Sequence, residues 1–127
     1  MTPEPGGRVA AHLWIVGAGR TGPALGLRLH RAHAVGRMTI TGRRASAPAL
    51  PLFTGDPPPA EYRSSIEDAP ADPDAIVIAV PDRAIAEVAG RLAAIDLPAS
   101  IPILHTSGTH SGDVLQPLAE RGHAVGS

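Results

Sequence analysis

Glycines at positions 17, 19 and 22 spell G-A-G-R-T-G between an apolar run, Val9 to Val16, and a helix-like pattern. Each glycine of such a loop has a mechanical task. Gly17 makes a tight turn, Gly19 lets the backbone approach a pyrophosphate, and Gly22 lets helix and strand pack closely. Phosphate oxygens would rest on the free N–H groups and the positive end of the helix that starts near Arg20. Gly17, Ala18, Gly19, Arg20, Thr21 and Gly22 are therefore a candidate phosphate cradle, with an ordinary tight strand-to-helix turn as the competing reading. A second cluster stands about twenty residues further on, where Asp or Glu would accept hydrogen bonds from the ribose hydroxyls of NAD. This chain has Gly42, Arg43 and Arg44 there. A carboxylate would repel a ribose 2′-phosphate, whereas a guanidinium forms paired, charge-assisted hydrogen bonds with it. NADP is thus expected in preference to NAD, the alternative being solvated loop arginines. The missing acid also counts against an S-adenosylmethionine site.

Two further stretches follow apolar runs and would reach the same sheet edge, where ligands of open parallel sheets bind. Val80, Pro81 and Asp82 would line the path of the dinucleotide toward its nicotinamide, although Asp82 also reads as the N-cap of the next helix. His105, Thr106, Ser107 and Gly108 would lie nearer the reacting end. Of these His105, Thr106 and Ser107 are weak catalytic candidates, with Thr106 or Ser107 placed to hydrogen-bond a substrate carbonyl or carboxylate. His105, His110 and Asp113 match no zinc spacing, so no metal site is expected. The segment "GTHSG" carries Thr109 where a nucleophile elbow needs its first glycine.

These residues need a scaffold, and the pattern supplies one. Residues 1–8, rich in Pro and Gly, read as a flexible leader. Val9 to Val16 reads as a buried strand, Arg20 to about His33 as a helix carrying Leu25, Leu27 and Leu29, and Arg37 to Thr41 as a second strand. Pro23 falls in the first turn, where a missing N–H costs little. Prolines crowd the stretch from Ala45 to Asp74, which predicts loops, one short strand near Tyr62 and at most a stunted helix. Asp74 to Val80 reads as a central strand. The following helix has a buried stripe of Ile85, Val88, Ala89, Leu92 and Ile95. Ile101 to His105 is another strand. Ser111 could cap the segment after it, Pro117 predicts a kink or two short turns there, and Gly122 would end it. "HAVGS" starts like a strand. The expected fold is α/β: a Rossmann-like, doubly wound, mainly parallel sheet spanning residues 9–127.

Composition removes other classes. A chain of 127 residues has room for one domain, and 43% hydrophobic residues can build its core. Aromatics are limited to Trp14, Phe53 and Tyr62, and the formal net charge is -1, so neither a stacking platform nor a basic field for nucleic acid is present. All 11 basic residues are arginine, which excludes lysine chemistry such as a Schiff base or a P-loop. Cysteine is absent, so disulfides, thiolate nucleophiles and zinc thiolates are excluded. No apolar run is long enough to span a bilayer and the N-terminus lacks a signal-peptide pattern, so a soluble cytoplasmic protein without membrane partners is expected.

"IVGAGRTG", "TGRR", "IAVPDRAIAEVA" and "HTSGTHSGDVLQPLAERGHAVGS", in that order, resemble the N-terminal Rossmann-like domain of a poorly characterised bacterial oxidoreductase group. That group is similar to pyrroline-5-carboxylate reductase and, more distantly, to 6-phosphogluconate and 3-hydroxyisobutyrate dehydrogenases. The resemblance implies an NADP-dependent reductase or dehydrogenase that moves a hydride between nicotinamide and a small carbonyl, imine or alcohol. It also implies a second, all-helical domain that forms a homodimer interface and supplies substrate-binding groups. The present chain reads as truncated before that helical domain, and so as lacking a complete active site. A non-catalytic NADP(H)-sensing module acting through a partner is the alternative from another class, and a nucleotide-binding subunit completed by another chain is a third.

Overall fold

The computed structural model describes residues 11–108 and 112–127. Strand β1 (His12–Val16) is followed by helix α1 (Thr21–Arg31) and strand β2 (Arg37–Thr41). After a 3-10 turn at Pro51–Phe53 come β3 (Glu61–Arg63), β4 (Ala75–Ile78), a 3-10 turn at Asp82–Ala84 and helix α2 (Ile85–Ala93). The chain then forms β5 (Ile103–His105), a 3-10 turn at Gly112–Leu115, a short helix α3 (Gln116–Ala119) and β6 (Val125–Gly126).

The six strands make one sheet in the order β3-β2-β1-β4-β5-β6, and every neighbouring pair is parallel. In register, Leu13 stands between Met38 on β2 and Ala75 on β4. The chain winds outward from β1 to β3, then returns to lay β4 on the other side of β1. The strand order therefore reverses between β1 and β4, and the crevice beyond their carboxyl ends is where such sheets place a ligand.

Alternation along the strands splits the core in two, as a sheet covered on both faces requires. Trp14, Val16, Ile76, Ile78 and Ile103 face α2 and the α3 region, meeting Ile85, Val88, Ala89, Leu92, Leu115 and Leu118. Leu13, Ile15, Met38 and Ile40 face the other way, toward Leu52 and α1. Four polar side chains on the first face pair across β1 and β2, and among the described residues only His12 Nδ1 is left buried without a hydrogen-bond partner. The Trp14 indole N–H donates to Thr41 Oγ1 at 2.9 Å, and His12 Nε2 lies 2.8 Å from Thr39 Oγ1.

Several expectations are refined. The first strand begins at His12, and the leader lies outside the described residues. Helix α1 does not bury its leucines fully: Gly22, Pro23 and Gly26 form the buried face, and Leu25, Leu27 and Leu29 are half-buried. Close approach is the cause, because a Cβ on Gly26 would sit 2.7 Å from Met38 Sδ and 3.1 Å from Leu52 Cδ1. Asp82 does not cap α2. It opens the 3-10 turn, and neither Pro81 nor Ala84, the residues at the two cap positions, makes a side-chain cap bond. Ile95 falls beyond the end of α2 and is only partly buried. Pro117 sits in the first turn of α3, directly after the 3-10 turn, so the segment is two short turns. Gly122, with φ +97°, ends it in the left-handed conformation. The proposed Ser111 cap lies outside the described residues, as do Thr109 and His110.

Candidate functional site

The glycine loop leaves β1 and crosses the end of β4. Its backbone is pinned on both sides: Gly17 N donates to Thr41 O at 2.7 Å, and Ala79 N donates to Val16 O at 2.8 Å. Gly17 has φ +130°, and a Cβ there would collide with the Ala79 carbonyl. Gly22 packs α1 so closely on the loop that its Cβ would collide with the Gly17 carbonyl. Both glycines are therefore demanded by the chain itself. Gly19 is different. It is exposed, its φ is not in the left-handed range, and a Cβ would meet none of the described residues within 4 Å.

Helix α1 starts beside this open space without a side-chain cap and without an acid in its first turn. Its leading N–H groups thus lack side-chain capping partners, and its positive end carries no countercharge from the first turn. Arg43 and Arg44 are exposed on the loop leaving β2. Among the described residues, the guanidinium groups of Arg43, Arg44 and Arg20 enter no ion pair and no hydrogen bond.

A cleft of about 1000 Å³ runs along this sheet edge. Gly17, Ala18, Gly19, Arg20 and Thr21 line it, with Gly42, Arg43 and Arg44 on one side. Val80, Pro81 and Asp82 line the other side, followed by Thr106 and Ser107. Gly22 lies beneath the loop and outside the lining. His105 is also outside it: the ring is buried, and Nδ1 accepts a hydrogen bond of 3.1 Å from the Ser107 N–H. That bond fixes the turn after β5, and Thr106 N adds a 3.1 Å bond to Ile78 O. Among the described residues no three His, Cys, Asp or Glu side chains gather as a metal-binding set.

The lining includes residues that the sequence does not mark as part of a site, although it predicts a short strand near Tyr62 and places Val88 in the helix stripe. Tyr62, Ser65 and Ile66 come from the proline-rich middle, and Val88 and Arg91 come from α2. Arg91 forms a two-pronged pair with Glu67, Nε to Oε2 at 3.0 Å and Nη2 to Oε1 at 2.6 Å. Ser65 Oγ adds a 2.8 Å bond to the same carboxylate. Arg91 first, and Ser65 second, hold the Glu67 carboxyl down to about 2. No periodicity marks Ser65 or Glu67, since their placement depends on a loop folding back onto α2. Arg91 could have been found as the residue one turn beyond Val88.

A family model for the Rossmann-like domain matches residues 6–125. The chain belongs to the Rossmann-like domain family. Three solved structures share this Rossmann-like fold. Prephenate dehydrogenase from A. aeolicus, solved with hydroxyphenyl propionate and NAD+, has a TM-score of 0.66 at 23% identity over 88% of this chain. A candidate NADP oxidoreductase from Bacteroides fragilis has a TM-score of 0.70 at 20% identity over 91%. Glycerol-3-phosphate dehydrogenase from Coxiella burnetii has a TM-score of 0.65 at 19% identity over 92%. This Rossmann-like chain spans 38%, 41% and 39% of their respective lengths. No curated protein matches its sequence. Among the described residues, no helix is long and apolar enough to cross a membrane.

Proposed function

We propose that this chain binds NADP(H) and aligns it as the hydride donor or acceptor domain of an oxidoreductase acting on a small carbonyl, imine or alcohol. The observation that carries the reading is Gly19. Packing accounts for Gly17 and Gly22, but none of the described residues fills the space a Gly19 side chain would take. Room for a pyrophosphate accounts for it, next to a helix start that has neither side-chain cap nor first-turn acid.

In this reading Gly17 to Thr21 hold the pyrophosphate, and the exposed Arg43 and Arg44 bracket the ribose 2′-phosphate. Val80 and Pro81 guide the nicotinamide end toward Thr106 and Ser107, whose hydroxyls are placed to orient a polar acceptor group. The hydride chemistry is the cofactor's, and the protein contributes alignment and exclusion of water. Support for an oxidoreductase comes from the fold shared with dehydrogenases. Those chains are more than twice as long, which leaves length for an acceptor site and for the contacts of a homodimer. His105 serves the turn after β5 in this reading, and no histidine is among the described lining residues. The second reading is an NADP(H)-sensing module, which would use the same glycine loop and arginines without hydride transfer.

Calorimetric titration with NADPH and NADH tests the proposal. The wild type should bind NADPH more tightly. Gly19→Ala should weaken both coenzymes by about tenfold or more while leaving the unfolding midpoint unchanged, because its methyl enters only the ligand space. Joint Arg43→Ala and Arg44→Ala substitution should bring NADPH to the NADH level, a loss of roughly ten- to a hundredfold for charged hydrogen bonds. Full coenzyme binding by Gly19→Ala would sink the reading. NADPH oxidation that depends on an added carbonyl or imine would decide for the enzyme over the sensor.

A further inference from the structure

The loop that carries Arg43 and Arg44 is tied down at two points, and both belong to β3. Gly42 N donates to Arg63 O at 3.0 Å, which extends the β2–β3 ladder one residue past the strands. Tyr62 Oη donates to Arg44 O at 2.6 Å, reaching back across the loop from the middle of β3. Arg43 is held between these anchors.

Gly42 is shaped for the same contact. A Cβ there would lie 2.7 Å from Tyr62 Oη, 3.0 Å from Tyr62 Cε1 and 2.7 Å from Ala18 Cβ. The loop leaving β2 is thus sandwiched between the tyrosine ring and the glycine loop itself. The ring is steadied from behind by Phe53, edge-on with centroids 5.6 Å apart and planes at 84°. Two of the chain's three aromatic residues are spent on this corner.

We propose that Tyr62 is the positioning residue for coenzyme choice: its hydroxyl clamps the Arg44 carbonyl and presents both guanidinium groups in the direction of a ribose 2′-phosphate. The inference rests on the NADP(H) reading above. Long arginine side chains on an untied loop would have to be ordered by the ligand, and that ordering would be subtracted from affinity. The clamp removes part of that cost in advance. It acts on the 2′-phosphate, and the pyrophosphate is held by the glycine loop, so NADPH should feel its loss more than NADH.

Tyr62→Phe is the test. It keeps the ring, its packing on Phe53 and the space above Gly42, and it deletes one solvent-exposed hydrogen bond. Titration with NADPH and NADH should show the ratio of their affinities falling roughly three- to tenfold, the size of one ordinary hydrogen bond. The unfolding midpoint should stay near that of the wild type. A more drastic variant, Gly42→Ala, forces the tyrosine hydroxyl off the carbonyl by contact and should lower the same ratio. A wild type that prefers NADPH, with Tyr62→Phe keeping the full preference or losing both coenzymes equally, overturns the clamp and leaves the NADP(H) reading standing. A wild type that binds both coenzymes alike, or neither, overturns that reading and the clamp with it.

Discussion

His12 is a buried histidine at the opposite end of β1 from the cleft. Burial lowers its pKa below the usual 6.5, Arg37 lowers it further, and the Asp72 backbone, Asp74 and Glu61 push back only in part. A folded-state pKa below the unfolded one means that the unfolded chain binds the extra proton first. The stability His12 contributes is therefore present above about pH 6.5 and is lost as pH falls through the lower folded value. Thermal unfolding followed from pH 7.5 to 5.5 should show a falling midpoint in the wild type and a flatter profile in His12→Gln, whose amide can still reach Thr39. Identical slopes in the two proteins would assign the acid sensitivity elsewhere. Residue identity alone announced the glycines and arginines of the cleft, but not this histidine, because its titration depends on what the sheet stacks around it.

At the scale of elements, α1 is held to the sheet by glycines, and two of them separate rigid from yielding contacts. A methyl on Gly22 runs into the Gly17 carbonyl, which is backbone fixed by β1 and β2. A methyl on Gly26 meets Met38 Sδ and Leu52 Cδ1, both near the ends of side chains that can shift. Gly22→Ala should cost about 2–3 kcal/mol by overpacking, whereas Gly26→Ala should cost less than about 1 kcal/mol, since better helix propensity offsets part of the strain. Urea denaturation of the two variants checks the order. Equal losses would show that the sheet under α1 yields as little as the loop does. Periodicity located α1 from Leu25, Leu27 and Leu29, yet the buried face turned out to be Gly22, Pro23 and Gly26. Small residues carry almost no hydropathy signal, so a close-packed face of this kind is invisible to an apolar count.

For the whole molecule, the Glu67–Arg91 pair joins the loop after β3 to α2 and so ties the two outer parts of the cleft to each other. The Glu67 carboxyl sits at about 2 in the fold against an ordinary 4.5. Its contribution is therefore complete above about pH 4.5 and disappears as pH falls through about 2. Acid unfolding monitored over that window should be less steep in Glu67→Gln than in the wild type. At neutral pH the two should differ little, because an exposed pair is strongly screened. A large loss of stability in Glu67→Gln at pH 7 would contradict this assignment.

Sequence alone determined the alternation of strands and helices, the parallel sheet, and the glycine and arginine positions at its edge. These follow from period, turn chemistry and residue type, which are local and survive without coordinates. Tertiary structure decided the rest. It separated Gly17 and Gly22, required by packing, from Gly19, which packing does not require, and it took His105 out of the cleft into the turn after β5. It also brought Tyr62, Ser65 and Glu67 out of a proline-rich stretch without periodicity. Their positions depend on contacts between segments distant along the chain, such as Tyr62 with Arg44 and Glu67 with Arg91. Such contacts arise only when parallel strand order folds the chain back on itself.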